Sequence, residues 1–126
     1  MSGLCGWFDT ERGSASPQAI AAMAAPLNRF DASAVRSASA AFGAVAAAGS
    51  DADVFQDGDT VAAVWGRARF SDPDLAALAE RHGAAHALAR GYEREGSGVL
   101  AGVSGACAVA VLKGRGEAML AIDRMG

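Results

Sequence analysis

The sequence predicts an α+β domain in which antiparallel strands lie against helices. Three observations carry that expectation. Strand-like and helix-like segments follow one another in the order strand, helix, strands, helices, hairpin. Two turn clusters, Asp57-Gly58-Asp59 and Gly114-Arg115-Gly116, each separate a pair of apolar runs short enough to be strands. The chain has 126 residues, 52% hydrophobic and 20% charged, which suits one globular domain spanning 1–126 with a real core.

Gly3 to Phe8, small and apolar with Trp7 and Phe8 at its end, reads as a short buried strand. Asp9 to Ser16 is a turn cluster. Ser16-Pro17 then starts a helix, with Ser16 as N-cap and Pro17 at the first helical position. Ile20, Met23, Ala24 and Leu27 share one face of it, Pro26 disturbs the last turn, and the helix should end near Phe30. Ser39 to Ala48 reads as a strand of small residues, against the helical preference of alanine. Thr60 to Trp65 is the strand that follows the Asp57-Gly58-Asp59 turn. Ser71-Asp72-Pro73-Asp74 starts another helix, with Leu75, Leu78 and Ala79 at helical spacing. A further helix is expected from about His82 to Glu95, with Gly96 as its C-cap. Gly105 to Leu112 and Glu117 to Ile122 form the closing hairpin, the clearest in the chain.

Composition excludes several classes of function. A net charge of −3 and a pI near 5.2 give no basic stripe for nucleic acid. Cys5 and Cys107 are too far apart in sequence for a disulfide framework or a zinc motif. His82 and His86 are four apart, but no glutamate of the zincin kind stands between them and no third ligand is in view, so no metal site is expected. No run approaches the roughly 18 apolar residues of a membrane span, and the opening MSGLCGWFD has no basic leader. A cytoplasmic protein without a membrane partner is therefore expected. The sequence stops at Asp123-Arg124-Met125-Gly126, directly after a strand. That reads as a fragment boundary, with a fold truncated at its C-terminal end. The strand edge left there is expected to recruit partners, a homo-oligomer among them.

Two stretches resemble a known family. The opening Met1-Ser2-Gly3-Leu4-Cys5-Gly6-Trp7-Phe8-Asp9 looks like that of class II glutamine amidotransferase domains, which in asparagine synthetases typically reads Met-Cys-Gly-Ile-Ala-Gly-Ile-Phe. Toward the end, Tyr92-Glu93-Arg94-Glu95-Gly96, the run Val103 to Leu112, Met119-Leu120-Ala121 and Asp123-Arg124-Met125-Gly126 follow the family's closing pattern. That pattern is a helix ending Tyr-Glu-Glu-x-Gly, a strand like Leu-x-Gly-x-Phe-Ala-Phe-Ala-Leu and a return strand ending Arg-Asp-Arg-x-Gly. The spacing matches without a gap from Gly83 to Leu112, and the resemblance extends to Val61–Leu75 but not to Asp31–Thr60. It implies an N-terminal-nucleophile (Ntn-hydrolase-like) sandwich of two antiparallel sheets between helical layers. A terminal cysteine would there release ammonia from glutamine for a second, ATP-using synthetase domain.

Carried over residue by residue, the resemblance implies a site whose chemistry is largely gone. The nucleophile falls on Ser2, and a hydroxyl is a far poorer nucleophile near neutral pH than a thiolate. Cys5 becomes an alternative nucleophile only if Met1 to Leu4 are trimmed; otherwise it is a small buried residue of the first strand. The family's Asn-Gly-Glu, whose asparagine is an oxyanion donor, falls on Trp65-Gly66-Arg67. An indole cannot reproduce that amide, although Gly66 retains a backbone N–H. The aspartate that holds glutamine's α-amino group falls on Ala84, and a nearby glutamate on His86. The arginine for the α-carboxylate belongs to a strand matching Phe42 to Ala47, which has none. Arg36, Arg67 and Arg69 are conceivable substitutes, otherwise plain surface charges. Cys107 replaces a core aromatic and is expected in the core.

The resemblance thus implies a degenerate, structural amidotransferase-like domain serving an amide-forming synthetase domain or chain. A macrolactam-forming enzyme of the lasso-peptide-cyclase type is favoured, since an amine within the substrate removes the need for ammonia. ATP and magnesium would belong to the synthetase domain and no cofactor to this one. The alternatives are an active glutaminase using Ser2 or trimmed Cys5, and a stand-alone binding or dimerisation module.

Overall fold

A computed structural model describes residues 3–8, 17–28, 35–49, 51–114 and 116–123. Over these residues the chain runs β1 (Gly3–Phe8), α1 (Pro17–Ala24), a 3-10 turn (Ala25–Asn28), β2 (Val35–Ala40), β3 (Gly43–Ala48), β4 (Asp53–Asp57), β5 (Thr60–Gly66) and β6 (Arg69–Phe70). Then follow α2 (Pro73–His82), α3 (Ala84–Glu95), a 3-10 segment (Gly96–Gly102), β7 (Val103–Ser104), β8 (Cys107–Lys113) and β9 (Glu117–Ile122).

Every strand pairing is antiparallel. One sheet has the order β1-β3-β2, a second β4-β5-β8-β9, and β6 pairs with β7 in a short ribbon. The two larger sheets stack face to face. Val45 and Ala38 of the first meet Val61, Ala63, Ala110 and Leu112 of the second, with Leu4 and Phe8 of β1 at the margin. Helix α1 covers the outer face of the first sheet through Ile20 and Ala24 on Ala44 and Ala46. Helices α2 and α3 and the 3-10 segment cover the outer face of the second, where Leu75, Leu88 and Val99 pack on Val64, Val109, Val111 and Met119. The layer order is helix, sheet, sheet, helices. Both sheets are inner layers, so β3 and β5 are buried on two faces and read as continuous small apolar runs rather than alternating ones.

Several sequence expectations need correcting. Ser39–Ala48 is not one strand: β2 and β3 form a hairpin with Ala41-Phe42 at its tip. Alanine fills buried positions on both strands, so composition leaves no mark at the turn. Helix α1 ends at Ala24, because Pro26 lacks an amide hydrogen and the chain tightens into 3-10 geometry. Met23 lies outside the buried face of Ile20 and Ala24 and is exposed. The N-cap expected at Ser16 and the helix end expected at Phe30 lie outside the described residues. His82 and His86 do not share one helix, since Gly83 separates α2 from α3. β1 is half-buried rather than buried, as befits an edge strand. The last buried strand starts at Cys107, because Gly105 turns with a positive φ.

Other expectations agree with the structure. Asp72 caps α2 by accepting from the amides of Asp74 (2.8 Å) and Leu75 (3.3 Å), with Pro73 beginning the helix. Gly96 ends α3. Both hairpins form, β4–β5 and β8–β9. Cys107 is buried in the core. Among the described residues no helix is long and apolar enough to cross a membrane.

Candidate functional site

Strand register brings one set of ends together. Gly3, at the start of β1, pairs with Ala48 at the end of β3, and Val35 at the start of β2 pairs with the same residue. A tight turn, closed by the Ala52 amide donating to the Gly49 carbonyl, passes the chain from β3 into β4. Asp53 at the start of β4 pairs with Val64 near the end of β5, Gly66 pairs with Cys107, and Ala108 pairs with Ile122. One end of the sandwich therefore gathers the start of β1, the Trp65-Gly66 corner and the end of β9. Asp53 Oδ2 accepts from the Ala85 amide at 2.9 Å, which ties the α2–α3 junction to the same end.

Of the positions carried over by resemblance, Trp65, Gly66 and Ala84 all lie at or beside this end. Ser2 is outside the described residues, although Gly3 beside it belongs to the cluster. Trp65 is half-buried on the strand face that carries Val61 and Ala63, toward the other sheet, in a cross-strand row with Ala108 and Ile122. Gly66 has φ +89, and a Cβ at that position would stand 2.3 Å from the Ala106 carbonyl oxygen. The glycine is demanded by the backbone, which turns out of the sheet so that the Arg67 amide can donate to that same carbonyl. Ala84 opens α3 and packs against the core formed with the helices, so the aspartate that the resemblance would require is replaced by an apolar contact.

Cys5 does not join the cluster. It pairs with Ala46 in mid-strand, and its side chain packs with Trp7 on the α1 side of the sheet, against Ile20, Ala24, Ala44 and Ala46. Burial pushes its thiol pKa up, which disfavours the thiolate that nucleophilic chemistry needs. The Cys107 thiol is also pushed up, first by burial and then by the Asp123 carboxylate.

Two of the three conceivable substitute arginines lie beside aspartates, and the third, Arg69, is exposed on β6. Arg36 Nη1 lies 3.4 Å from Asp53 Oδ1, and Arg67 Nε lies 3.5 Å from Asp51 Oδ2. Both arginines are exposed, so each pair contributes little to stability.

Asp53 is the residue that sequence reasoning missed. Gly83 offers no side-chain cap to α3, and Asp53, 32 residues earlier than Ala85, supplies the acceptor instead. Gly83 has φ +102, and a Cβ there would meet Asp53 Oδ2 at 2.3 Å. The one available signal was a glycine between two helices with no Ser, Thr, Asp or Asn to cap the second. Farther along α3, the His86 ring stacks on Phe55 at 4.2 Å and an interplanar angle of 7°. Burial, then Arg90 and His82, lower the His86 pKa, so its neutral form is favoured near pH 7. No group of three or more His, Cys, Asp or Glu among the described residues is arranged to hold a metal ion.

An apolar cleft of about 370 Å³ opens beside β1, between the two sheets. Leu4, Phe8, Ala110, Leu112, Ala118 and Leu120 line it.

Fold and site together define a class: an antiparallel, four-layered mixed α/β domain. One end gathers strand termini from both larger sheets. No family model, curated protein or solved structure matches the chain.

Proposed function

We propose that the chain is a glutamine amidotransferase-like domain kept for its shape, in the service of an ATP-dependent amide-forming synthetase domain or chain. The observation that carries this reading is the gathering of β1's start and the Trp65-Gly66 corner at one end of a helix–sheet–sheet–helix sandwich, where the described positions Trp65 and Ala84 lack the amide and the carboxylate that glutamine hydrolysis would use. An Ntn-type sandwich has that layer order, which supports the resemblance. The Cys5 thiol faces α1 and its pKa is pushed up by burial, Trp65 offers an indole in place of an amide and Ala84 an apolar contact in place of a carboxylate, and Arg36 and Arg67 each lie beside an aspartate. A zwitterionic substrate deprived of its charged partners loses charge-assisted hydrogen bonds worth about 1.5–3 kcal/mol each.

A synthetase partner that uses an amine already within its substrate would need no ammonia, as in a macrolactam-forming enzyme of the lasso-cyclase type. ATP and magnesium would then be bound by the partner. Calorimetric titration with L-glutamine tests the binding half of the proposal. No saturable heat is expected up to several millimolar. A submillimolar Kd, weakened by Arg67→Ala, would contradict it.

A further inference from the structure

A pair of rings joins the α2–α3 corner to β4. His86, in the first turn of α3, stacks on Phe55 of β4 with centroids 4.2 Å apart and an interplanar angle of 7°. Phe55 pairs with Ala62 in mid-sheet and packs on the core beneath the helices. His82, in the last turn of α2, stands across the Gly83 break, its ring centroid 5.4 Å from that of His86. The Asp53 carboxylate holds the same corner by accepting from the Ala85 amide.

These surroundings suit a neutral His86 ring and penalise a charged one. Backbone amides in a helix's first turn carry partial positive charge, which opposes a cation there. Arg90, one turn further along α3, adds a full positive charge, and His82 adds another once it is protonated. Two carboxylates face His86 from β4, and each already has a cation beside it. Arg36 lies 3.4 Å from Asp53, and Arg90 lies 3.6 Å from Asp57. Among the described residues, the other elements packed on α3 bring it no charge. β5 and β8 meet it with Ala62, Val64, Val109 and Val111, and the 3-10 segment (GSGVLAG) has no ionisable side chain. A cation is attracted to an aromatic face, so Phe55 alone would tolerate an imidazolium. Burial and the like charges act against it. The His86 pKa is lowered first by burial, then by Arg90 and His82, against the opposite pull of Asp57 and Asp53.

We propose that the His86–Phe55 stack is an acid-released latch on the α2–α3 corner, closed while His86 is neutral and opened when its ring gains a proton. The charged ring turns off Phe55 into water, which its half-buried position allows. The corner then keeps the Asp53–Ala85 hydrogen bond to β4 without the ring stack. The sign follows from the lowered folded pKa. The latch stabilises the fold above the unfolded histidine value near 6.5, and that contribution is lost as pH falls from there through the folded value. Carboxylates titrate near 4 when unfolded, so their acid limb is separate from this one.

NMR titration of the histidine ring protons in the whole chain, with amide exchange and thermal unfolding across about pH 5 to 8, tests the latch. His86 should titrate with a midpoint below the ordinary value near 6.5, and His82→Gln should raise that midpoint by removing a like charge. Between about pH 7.5 and 5.5 the thermal midpoint should fall. Over the same range, after correction for intrinsic exchange, amides of the α2–α3 corner should lose at least about threefold in protection while those of β8 keep theirs. His86→Phe keeps a ring on Phe55 but takes no proton, so its thermal midpoint should stay level. A His86 midpoint at or above the ordinary value would overturn the proposal. So would a fall in thermal midpoint that survives His86→Phe, or unchanged protection at the corner. The titration is read on the unaltered chain, so it decides the matter even where the phenylalanine variant fails to fold.

Discussion

Asp53 joins three parts of the fold, and its removal has a calculable cost. Asp53→Ala deletes the side-chain acceptor at the start of α3, where Oδ2 meets the Ala85 amide at 2.9 Å. Loss of a cap costs about 1 kcal/mol, and loss of a negative charge at a helix N-terminus a further 0.3–1 kcal/mol or so. The Arg36 pair, at 3.4 Å with Arg36 59% exposed, adds at most a few tenths of a kcal/mol. The expected total is about 1.5–2 kcal/mol. Asp53→Asn keeps an acceptor and loses the charge, so it should cost roughly half as much. Gly83→Ala should be worse than either, since φ +102 is strained for alanine and its Cβ would stand 2.3 Å from Asp53 Oδ2. In an Asp53→Ala background that collision disappears and only the backbone strain remains. Urea unfolding of both single variants and the double variant gives the cycle. A favourable coupling of about 1 kcal/mol is expected between the two sites. Additivity within about 0.3 kcal/mol, or an Asp53→Ala cost below about 0.5 kcal/mol, would refute the account of the α3 cap.

Three further outcomes concern Cys5, Gly66 and Asp72. Cys5 should alkylate with iodoacetamide more slowly at pH 7.5 than a cysteine in an unstructured peptide, and speed up only above the ordinary thiol range; rapid labelling near pH 7, followed by peptide mass mapping, would show a thiolate that burial disfavours. Gly66→Ala should cost about 2–4 kcal/mol, because it combines positive-φ strain with a collision on the Ala106 carbonyl; denaturant unfolding with less than about 1 kcal/mol lost would contradict the corner's geometry. The Asp72 carboxyl lies below the usual carboxylate range, chiefly through its hydrogen bond to Arg94 and then through the Leu75 amide. A depressed folded pKa gives stability that is present above the unfolded value near 4 and lost as pH falls through the folded value. The thermal midpoint should therefore drop below about pH 4, and Asp72→Asn should flatten that acid limb while a parallel limb would remove Asp72 as its cause.

Local chemistry made much of the fold readable. Asp57-Gly58-Asp59 and the Gly114–Gly116 turn each mark a hairpin, and Asp72-Pro73 and Gly96 mark helix ends, because the signals sit next to the structures they make. The β2–β3 hairpin was hidden because alanine serves equally in a strand buried on both faces and in a helix. The α3 cap was hidden for a different reason. Its donor and acceptor are 32 residues apart, and only the stacking of β4 beneath α3 brings them together. At the site, Trp65-Gly66 and Ala84 could be singled out by resemblance alone. Their arrival at one end depends on register across two sheets, which no local pattern encodes.

The central claim is that this domain does not hydrolyse glutamine. It is tested most directly by following glutamate release from L-glutamine with the intact protein, with the amino-terminal mass determined on the same sample. No release above the uncatalysed rate, from protein that begins at Met1 or Ser2, is the predicted result. Steady release that vanishes on Ser2→Ala or Cys5→Ala would establish a working amidotransferase and contradict the account.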